Sequence, residues 1–324
     1  MKSRRRLFVR IFLVALMFGL AAAVLRGYKI SQANKAPKHT VTNIDQPSDP
    51  VIMAAGDIAC PASLVVAPPT GECRMSQTAD IISVAKPTAV LTLGDNQYEA
   101  GSLADFNTVY QPTWGAFKGI THPSIGNHEY DSKGNAEGYF DYFGAAAGQR
   151  GQGYYSFDIG TWHLVALNSN CDLVSCNAGQ AQEKWLRDDL SLNAAKCTLV
   201  YFHHPRFSSG SEHGNDQAVA PLWQAMYDNN VDLVLNGHEH DYERFAPQNP
   251  KGQVDNDKGI REIVVGTGGR SLYPFKGKPF ATTEARYSGG YGVLKLVLHD
   301  SSYDWQFIGE AGSSFSDSGS TSCH

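Results

Sequence analysis

Five short segments of this 324-residue sequence end in side chains able to bind cations or move protons. They read Gly56-Asp57, Gly94-Asp95-Asn96-Gln97-Tyr98, Gly126-Asn127-His128-Glu129, His203-His204-Pro205 and Asn236-Gly237-His238-Glu239-His240. Together they offer two Asp, one Tyr, one Asn and three His as ligands. Hard oxygen donors mixed with imidazole suit Fe, Mn or Zn better than a sulfur-rich centre. Taken singly, each segment has a plain structural reading. Gly-Asp after a strand is an ordinary turn, Asn127-His128 could cap a helix, and Tyr98 alone reads as a packed tyrosine. Their joint occurrence in this order argues for one site built from all five.

The elements that must carry these segments are read from the apolar pattern. Strand candidates are Val51–Ala55, Ala89–Leu93, Trp162–Leu167, Thr198–Phe202, Val231–Leu235, Ile263–Val265, Tyr291–Leu298 and Tyr303–Ile308. Helical patterns cover Ser76–Lys86, Leu103–Phe117, Ala178–Leu192 and Gln217–Asn229. Such alternation predicts an α/β fold with sheets flanked by helices. The last two strand candidates read as an antiparallel pair, so a mixed or double sheet is expected. Four of the strands, and the segment Thr121–Ile125, run directly into the five polar clusters. In α/β sheets, ligands gather beyond the carboxyl ends of strands. Where a glycine precedes the ligand, the backbone can turn sharply and approach an ion closely.

These blocks, with Val200-x-x-His203 and Gly237-His238-x-His240, resemble the calcineurin-like metallophosphoesterases, and within them the purple acid phosphatase branch. The resemblance spans roughly Val51 to Ile308. In the wider superfamily the first block is Asp-x-His, whose histidine binds metal; here that position is Ala59. Tyr98, three residues after Asp95, stands where the purple branch has its iron-binding phenolate. The resemblance implies a four-layer α/β/β/α double-sheet sandwich and two metal ions. One would be held by Asp57, Asp95, Tyr98 and His240, the other by Asp95, Asn127, His203 and His238, with Asp95 as the bridge. It implies Fe(III) at the Tyr98 site, with Fe, Zn or Mn at the second, and in-line attack on a phosphate ester by water that the ions activate. His128 would hydrogen-bond the phosphoryl oxygens or the leaving group, and His213 would be a candidate general acid, since imidazole titrates near neutrality. A solvated loop histidine is the plain reading of His213. His204, Glu129, Tyr242 and Arg244 could support the ligands or contact substrate. The Trp-Gly often found in the first block of the purple branch is missing. The expected activity is an acid phosphatase acting on monoesters. The alternatives are a phosphodiesterase or nucleotide-processing hydrolase on the same metal core, or a non-catalytic, membrane-tethered module binding metal or phosphate. No Gly-x-Ser-x-Gly elbow, His-Glu-x-x-His helix or Walker loop supports another hydrolase class.

Composition is that of a globular protein, 42% hydrophobic and 18% charged, with a net charge of −5. Seven of the 27 basic residues (Lys2, Arg4, Arg5, Arg6, Arg10, Arg26 and Lys29) fall in the first 30, leaving 20 against 32 acidic side chains beyond. Such a body is a poor ligand for polynucleotides, whose binding depends on Lys and Arg neutralising phosphates. The basic stretch ahead of the apolar run Ile11–Leu25, with Ala21-Ala22-Ala23, reads as a secretory signal. An uncleaved N-terminal anchor is the alternative, and either predicts a secreted or extracytoplasmic body, touching membrane only through this segment. The expected organisation is export segment 1–30, linker 31–50, one catalytic domain 51–312 and a Ser-rich tail 313–324. Six cysteines in an exported chain favour disulfides over free thiols. Many pairings are open; proximity favours Cys60–Cys73 and Cys171–Cys176, leaving Cys197 to fasten the tail at Cys323.

Overall fold

The computed structural model describes residues 49–65, 72–130 and 134–324; the export segment and the linker up to residue 48 lie outside them. Two mixed sheets stack face to face. The first contains β1 (Val51–Ala55), β2 (Ala89–Leu93), β3 (Thr121–Ser124), β11 (Gly292–Leu298), β12 (Ser302–Gly309) and β13 (Asp317–Ser322), in the order β13-β12-β11-β1-β2-β3. The second contains β4 (Tyr155–Ile159), β5 (Trp162–Ala166), β6 (Cys197–Tyr201), β7 (Leu233–Asn236), β8 (Tyr242–Phe245), β9 (Arg261–Val265) and β10 (Thr283–Tyr287), in the order β10-β8-β9-β7-β6-β5-β4. Strands β1, β2 and β3 are parallel, as are β5, β6, β7 and β9. β11 and β12 form the expected antiparallel pair.

Alternation along the central strands explains the layering. Leu164, Ala166, Leu199, Tyr201, Leu233 and Leu235 belong to one apolar cluster with residues of the first sheet. The intervening residues Val165, Val200, Phe202 and Val234 pack instead with Leu186, Leu190, Leu222 and Trp223. Those four lie on α3 (Ala181–Leu192) and α4 (Ala220–Asp228), which cover the second sheet. Burial on both faces explains why these strands read as unbroken apolar runs. On the first sheet, α1 (Met75–Ala85) packs against β11. The result is the four-layer α/β/β/α sandwich.

Several expectations need correction. The helix expected over Leu103–Phe117 is broken: Leu103–Asp105 is α-helical, Phe106–Tyr110 is a π-turn, and Trp114–Ile120 is 3₁₀. Pro112 removes a backbone donor, and Gly115 and Gly119 weaken the next turns, so one continuous helix fails. A further short helix, α2 (Glu137–Phe143), has no counterpart among the helical patterns of the sequence. The Ser-rich end is not a free tail. Its residues 317–322 pair with β12 as an edge strand, and the chain end is held by Cys197–Cys323. The other two disulfides are Cys60–Cys73 and Cys171–Cys176, as proximity suggested. Among the described residues, no helix is long and apolar enough to cross a membrane.

Candidate metal centre

The carboxyl ends of the parallel strands of both sheets point to one edge of the sandwich, and the polar segments meet there. Asp57, Asp95 and Asn127 come after β1, β2 and β3 of the first sheet; His203, His238 and His240 come after β6 and β7 of the second. The loops after β1 and β2 keep pairing beyond the strands. Asp57 N–H donates to the Gly94 carbonyl at 3.1 Å, Ile58 N–H to Asp95 at 3.0 Å, and Tyr98 N–H to Ala59 at 2.9 Å. This pairing fixes Asp57, Asp95 and Tyr98 as one unit.

Two donor groups share one carboxylate. In the first, Tyr98 Oη lies 2.8 Å from Asp57 Oδ1, 3.0 Å from Asp95 Oδ2 and 2.9 Å from His240 Nε2. In the second, His203 Nε2 lies 3.2 Å from Asp95 Oδ2, 3.1 Å from Asn127 Oδ1 and 3.2 Å from His238 Nδ1. All seven residues named from the sequence therefore converge, with Asp95 Oδ2 between the two sets. The backbone is bent to achieve this. Asp57, Asp95 and His238 adopt positive φ of 60°, 46° and 72°, a left-handed conformation that costs non-glycine residues of order 1 kcal/mol and clusters at functional sites. Close packing also explains two glycines. A Cβ on Gly94 would sit 2.5 Å from His203 Nδ1, and one on Gly126 2.1 Å from Asp95 Oδ1.

The donor set fits cations. Two buried carboxylates side by side need compensating positive charge in a low-dielectric interior. The ligand atoms of Asp57, Asp95 and His203 lie within 4.8 Å of one another. The histidines are set in the correct tautomer: His203 Nδ1 donates to the Leu93 carbonyl at 2.8 Å, and His240 Nδ1 to the Ser271 carbonyl at 2.5 Å. A carbonyl only accepts, so Nδ1 carries a proton in each ring, and Nε2 is the atom that would offer its lone pair to a cation on losing its own proton. Burial opposes ionisation of Asp95, but the adjacent His203 and two further histidines hold its carboxyl well below the usual range. Burial pushes His203 down; the charge of Asp95 outweighs it and brings the ring up to about 9. Burial, then the charges of Asp57 and Asp95, keep the Tyr98 phenol far above its ordinary value. Burial pushes His238 down, and the neighbouring histidines add to it.

Around this centre stand the expected supporting groups and some that the sequence did not reveal. His128 turns Nδ1 to the Glu99 carbonyl at 2.5 Å and Nε2 inward, 3.9 Å from Asp95 Oδ2. His213 is exposed, and its ring stacks on His238 with centroids 4.0 Å apart. Buried Glu239 holds that loop by accepting the His213 and Gly214 N–H groups at 2.6 Å each. Glu129 is a buried clamp: Oε1 accepts from Asn96 and Gln97, Oε2 from Asp95 and Gly126. Burial, with the charge of Asp95, pushes its carboxyl up to about 7. His204 sits beside His238, ring centroids 4.3 Å apart, bonded through Nδ1 to Ser169 Oγ at 2.8 Å; burial pushes it down to about 3. Tyr242 and Arg244 do not support the centre. Both bind Asp317 and so tie β8 to β13.

The missed contributors are Glu239, Ser271 and Tyr273. Tyr273 stacks on His240 at 4.0 Å. The signal for the last two was Gly266-Thr267-Gly268-Gly269 after β9, a sixth strand running into a loop at the same edge. There Arg270 N–H donates to the Asp57 carbonyl at 2.8 Å.

The family model for the calcineurin-like phosphoesterases matches residues 50–242. Purple acid phosphatase 22 of Arabidopsis thaliana is 34% identical over 157 residues, covering 44% of this chain and 34% of that protein. Purple acid phosphatase 18 of the same plant is 29% identical over 267 residues, covering 73% of this chain and 57% of that protein. The chain thus spans less than two thirds of the length of either relative. In fold it is similar to the purple acid phosphatase PPD1 from yellow lupin (Lupinus luteus) seeds, with a TM-score of 0.70 at 19% identity, over 86% of this chain and 54% of that one. Since the family model covers more than half of its residues, this chain belongs to the calcineurin-like phosphoesterases, and its similarity within them is to purple acid phosphatases.

Proposed function

We propose that the protein is an exported phosphoester hydrolase acting on monoesters, with two metal ions at the edge of the sandwich. The observation that carries this reading is the sharing of Asp95 Oδ2 between the Tyr98 and His203 donor groups. One ion would be held by Asp57, Asp95, Tyr98 and His240, the other by Asp95, Asn127, His203 and His238. The phenol oxygen supports Fe(III) at the first position, because a hard anionic donor favours the more highly charged ion; Fe, Zn or Mn suits the second. When bound, the two ions supply Lewis-acid activation of water and neutralise charge on the phosphoryl group.

The protein's own side chains do the remaining work. His128, oriented by the Glu99 carbonyl, presents Nε2 to a phosphoryl oxygen. His213, stacked on His238, would protonate the departing alkoxide. Glu129 keeps the loops of Asp95 and Asn127 in register, so that the bridging carboxylate does not reorganise during reaction. Export is supported by the three disulfides, which persist in oxidising compartments.

The test is metal analysis of purified protein alongside turnover of para-nitrophenyl phosphate and of its bis ester. Two ions per chain and a preference for the monoester are expected. A strong preference for the diester would refute monoester specificity, and metal-loaded protein inert towards both would refute hydrolysis. Asp95→Asn should lower turnover by several orders of magnitude; near-normal rates would remove the bridge.

A further inference from the structure

A cavity of about 480 Å³ opens beside the His203 half of the centre, with metal-ligand candidate Asn127 and His204 in its wall. Neutral polar groups of Ser169 and Asn170 continue the wall, and Leu173 and Ala218 add apolar surface. Its charges are of one sign. Asp172, in the loop closed by Cys171–Cys176, and Asp216 both line it. None of its described lining residues is Lys or Arg. The two carboxylates sense one another. Burial pushes the Asp216 carboxyl up, and the charge of Asp172 adds to that push, while Arg206, outside the described lining, offsets part of it.

A phosphate ester held at the centre would need room beside it for its alcohol portion. This cavity supplies it. Wall chemistry then determines which alcohols are accepted. An arm bearing a carboxylate or another phosphate would meet two like charges in a partly enclosed space, where Coulomb terms are far larger than in bulk water. An ammonium on a short hydroxylated or aliphatic arm would meet two opposite charges and amide or hydroxyl partners. We propose that the cavity between Asn127, His204, Asp172 and Asp216 receives the alcohol arm of the substrate and selects phosphate monoesters of amino alcohols over those with anionic arms. This inference rests on the phosphoesterase reading above and narrows its substrate class. Selection comes as much from rejecting the anion as from attracting the cation.

The experiment measures binding separately from turnover. Metal-loaded full-length protein is titrated calorimetrically with 2-aminoethylphosphonate and with 2-carboxyethylphosphonate, which share a phosphonate head and differ in the charge of a short arm. The aminoethyl compound should bind at least about tenfold more tightly, a ratio expected for one opposite and one like charge at partly screened range. In the double variant Asp172→Asn/Asp216→Asn that ratio should fall to within about twofold of unity. Asn at 216 retains an oxygen for the Ala218 N–H that Asp216 accepts at 2.7 Å, and Asp172 is exposed, so the variant keeps its local structure. Equal affinities in the unsubstituted protein, the reverse order, no binding of either compound, or a ratio unmoved by the double substitution would each overturn the assignment. Turnover of para-nitrophenyl phosphate, measured in parallel, tests hydrolysis separately. Turnover without selectivity sinks only the cavity assignment; selectivity without turnover sinks only the hydrolase reading.

Discussion

Replacing Glu129 by Gln isolates the clamp beneath the centre. The carboxylate is fully buried and accepts four backbone N–H groups: Asn96 at 2.7 Å and Gln97 at 3.2 Å on Oε1, Gly126 at 2.7 Å and Asp95 at 3.1 Å on Oε2. Glutamine is nearly isosteric but has only one accepting atom. Whichever way the amide is turned, two bonds remain and an NH₂ group faces two N–H donors. Bonds to a charged acceptor contribute about 1.5–3 kcal/mol each, and buried donors left unsatisfied cost a similar amount. Glu129→Gln should therefore lower unfolding free energy by about 3–6 kcal/mol. The assay is denaturant unfolding of chelator-treated protein, so that loss of metal does not contribute to the difference. A second readout is metal affinity, which should fall because the loops of Asp95 and Asn127 lose their common anchor. A loss below about 1 kcal/mol with unchanged metal affinity would refute the clamp, and with it the claim that this carboxylate sets the register of the two loops.

Tyr98→Phe should remove the visible phenolate-to-iron absorption of iron-loaded protein while far-UV circular dichroism stays unchanged; a retained band would take Tyr98 out of the site. His163 bridges Asp158 and Asp189 at 2.8 Å through each ring nitrogen, and although burial opposes it, these carboxylates raise its pKa. A raised folded-state value means that this contribution to stability is complete below the unfolded value of about 6.5 and is lost as pH rises through the folded one. His163→Ala should abolish that part of the pH dependence between neutral and mildly alkaline solution, read from unfolding curves at several pH values; an unchanged pH profile would contradict the bridge. Removing Cys197–Cys323 by double Ser substitution should lower stability by about 2–5 kcal/mol, since it closes a long loop across a sequence separation of 126. Stability unchanged in the double variant would mean that pairing of β13 alone holds the chain end.

The site was legible because its signal is local. Four of the five donor segments follow an apolar run and a glycine, His203 following its run directly, and burial of the central strands on both faces kept those runs unbroken. Asp57, Tyr98 and His240 could therefore be placed from sequence alone, as could the absence of a histidine at Ala59. Features without a local signal were missed. β8 reads Tyr-Glu-Arg-Phe and β13 reads Asp-Ser-Gly-Ser-Thr-Ser, and neither has the apolar alternation of a strand. Their pairing depends on long-range partners: Tyr242 and Arg244 on Asp317, and Cys323 on Cys197. The same long-range dependence misplaced Tyr242 and Arg244 beside the centre and hid Glu239, whose acceptor role appears only when the His213 loop folds over it. The expected Leu103–Phe117 helix breaks because Pro112, within its apolar spacing, has no backbone N–H to continue the ladder.

One strand of the second sheet has a place in the fold that no single contact reveals. β6 begins at Cys197, bonded to Cys323 just after β13 of the first sheet, and leads at its other end to His203, which meets Asp95 of that same sheet. The two layers are thus fastened to each other near both extremities of one central strand. Sliding of one layer over the other is the motion that would change the spacing between donors contributed by different sheets, and it is restrained from both directions. The spacing between donors from the two sheets is thus tied to the framework that joins them.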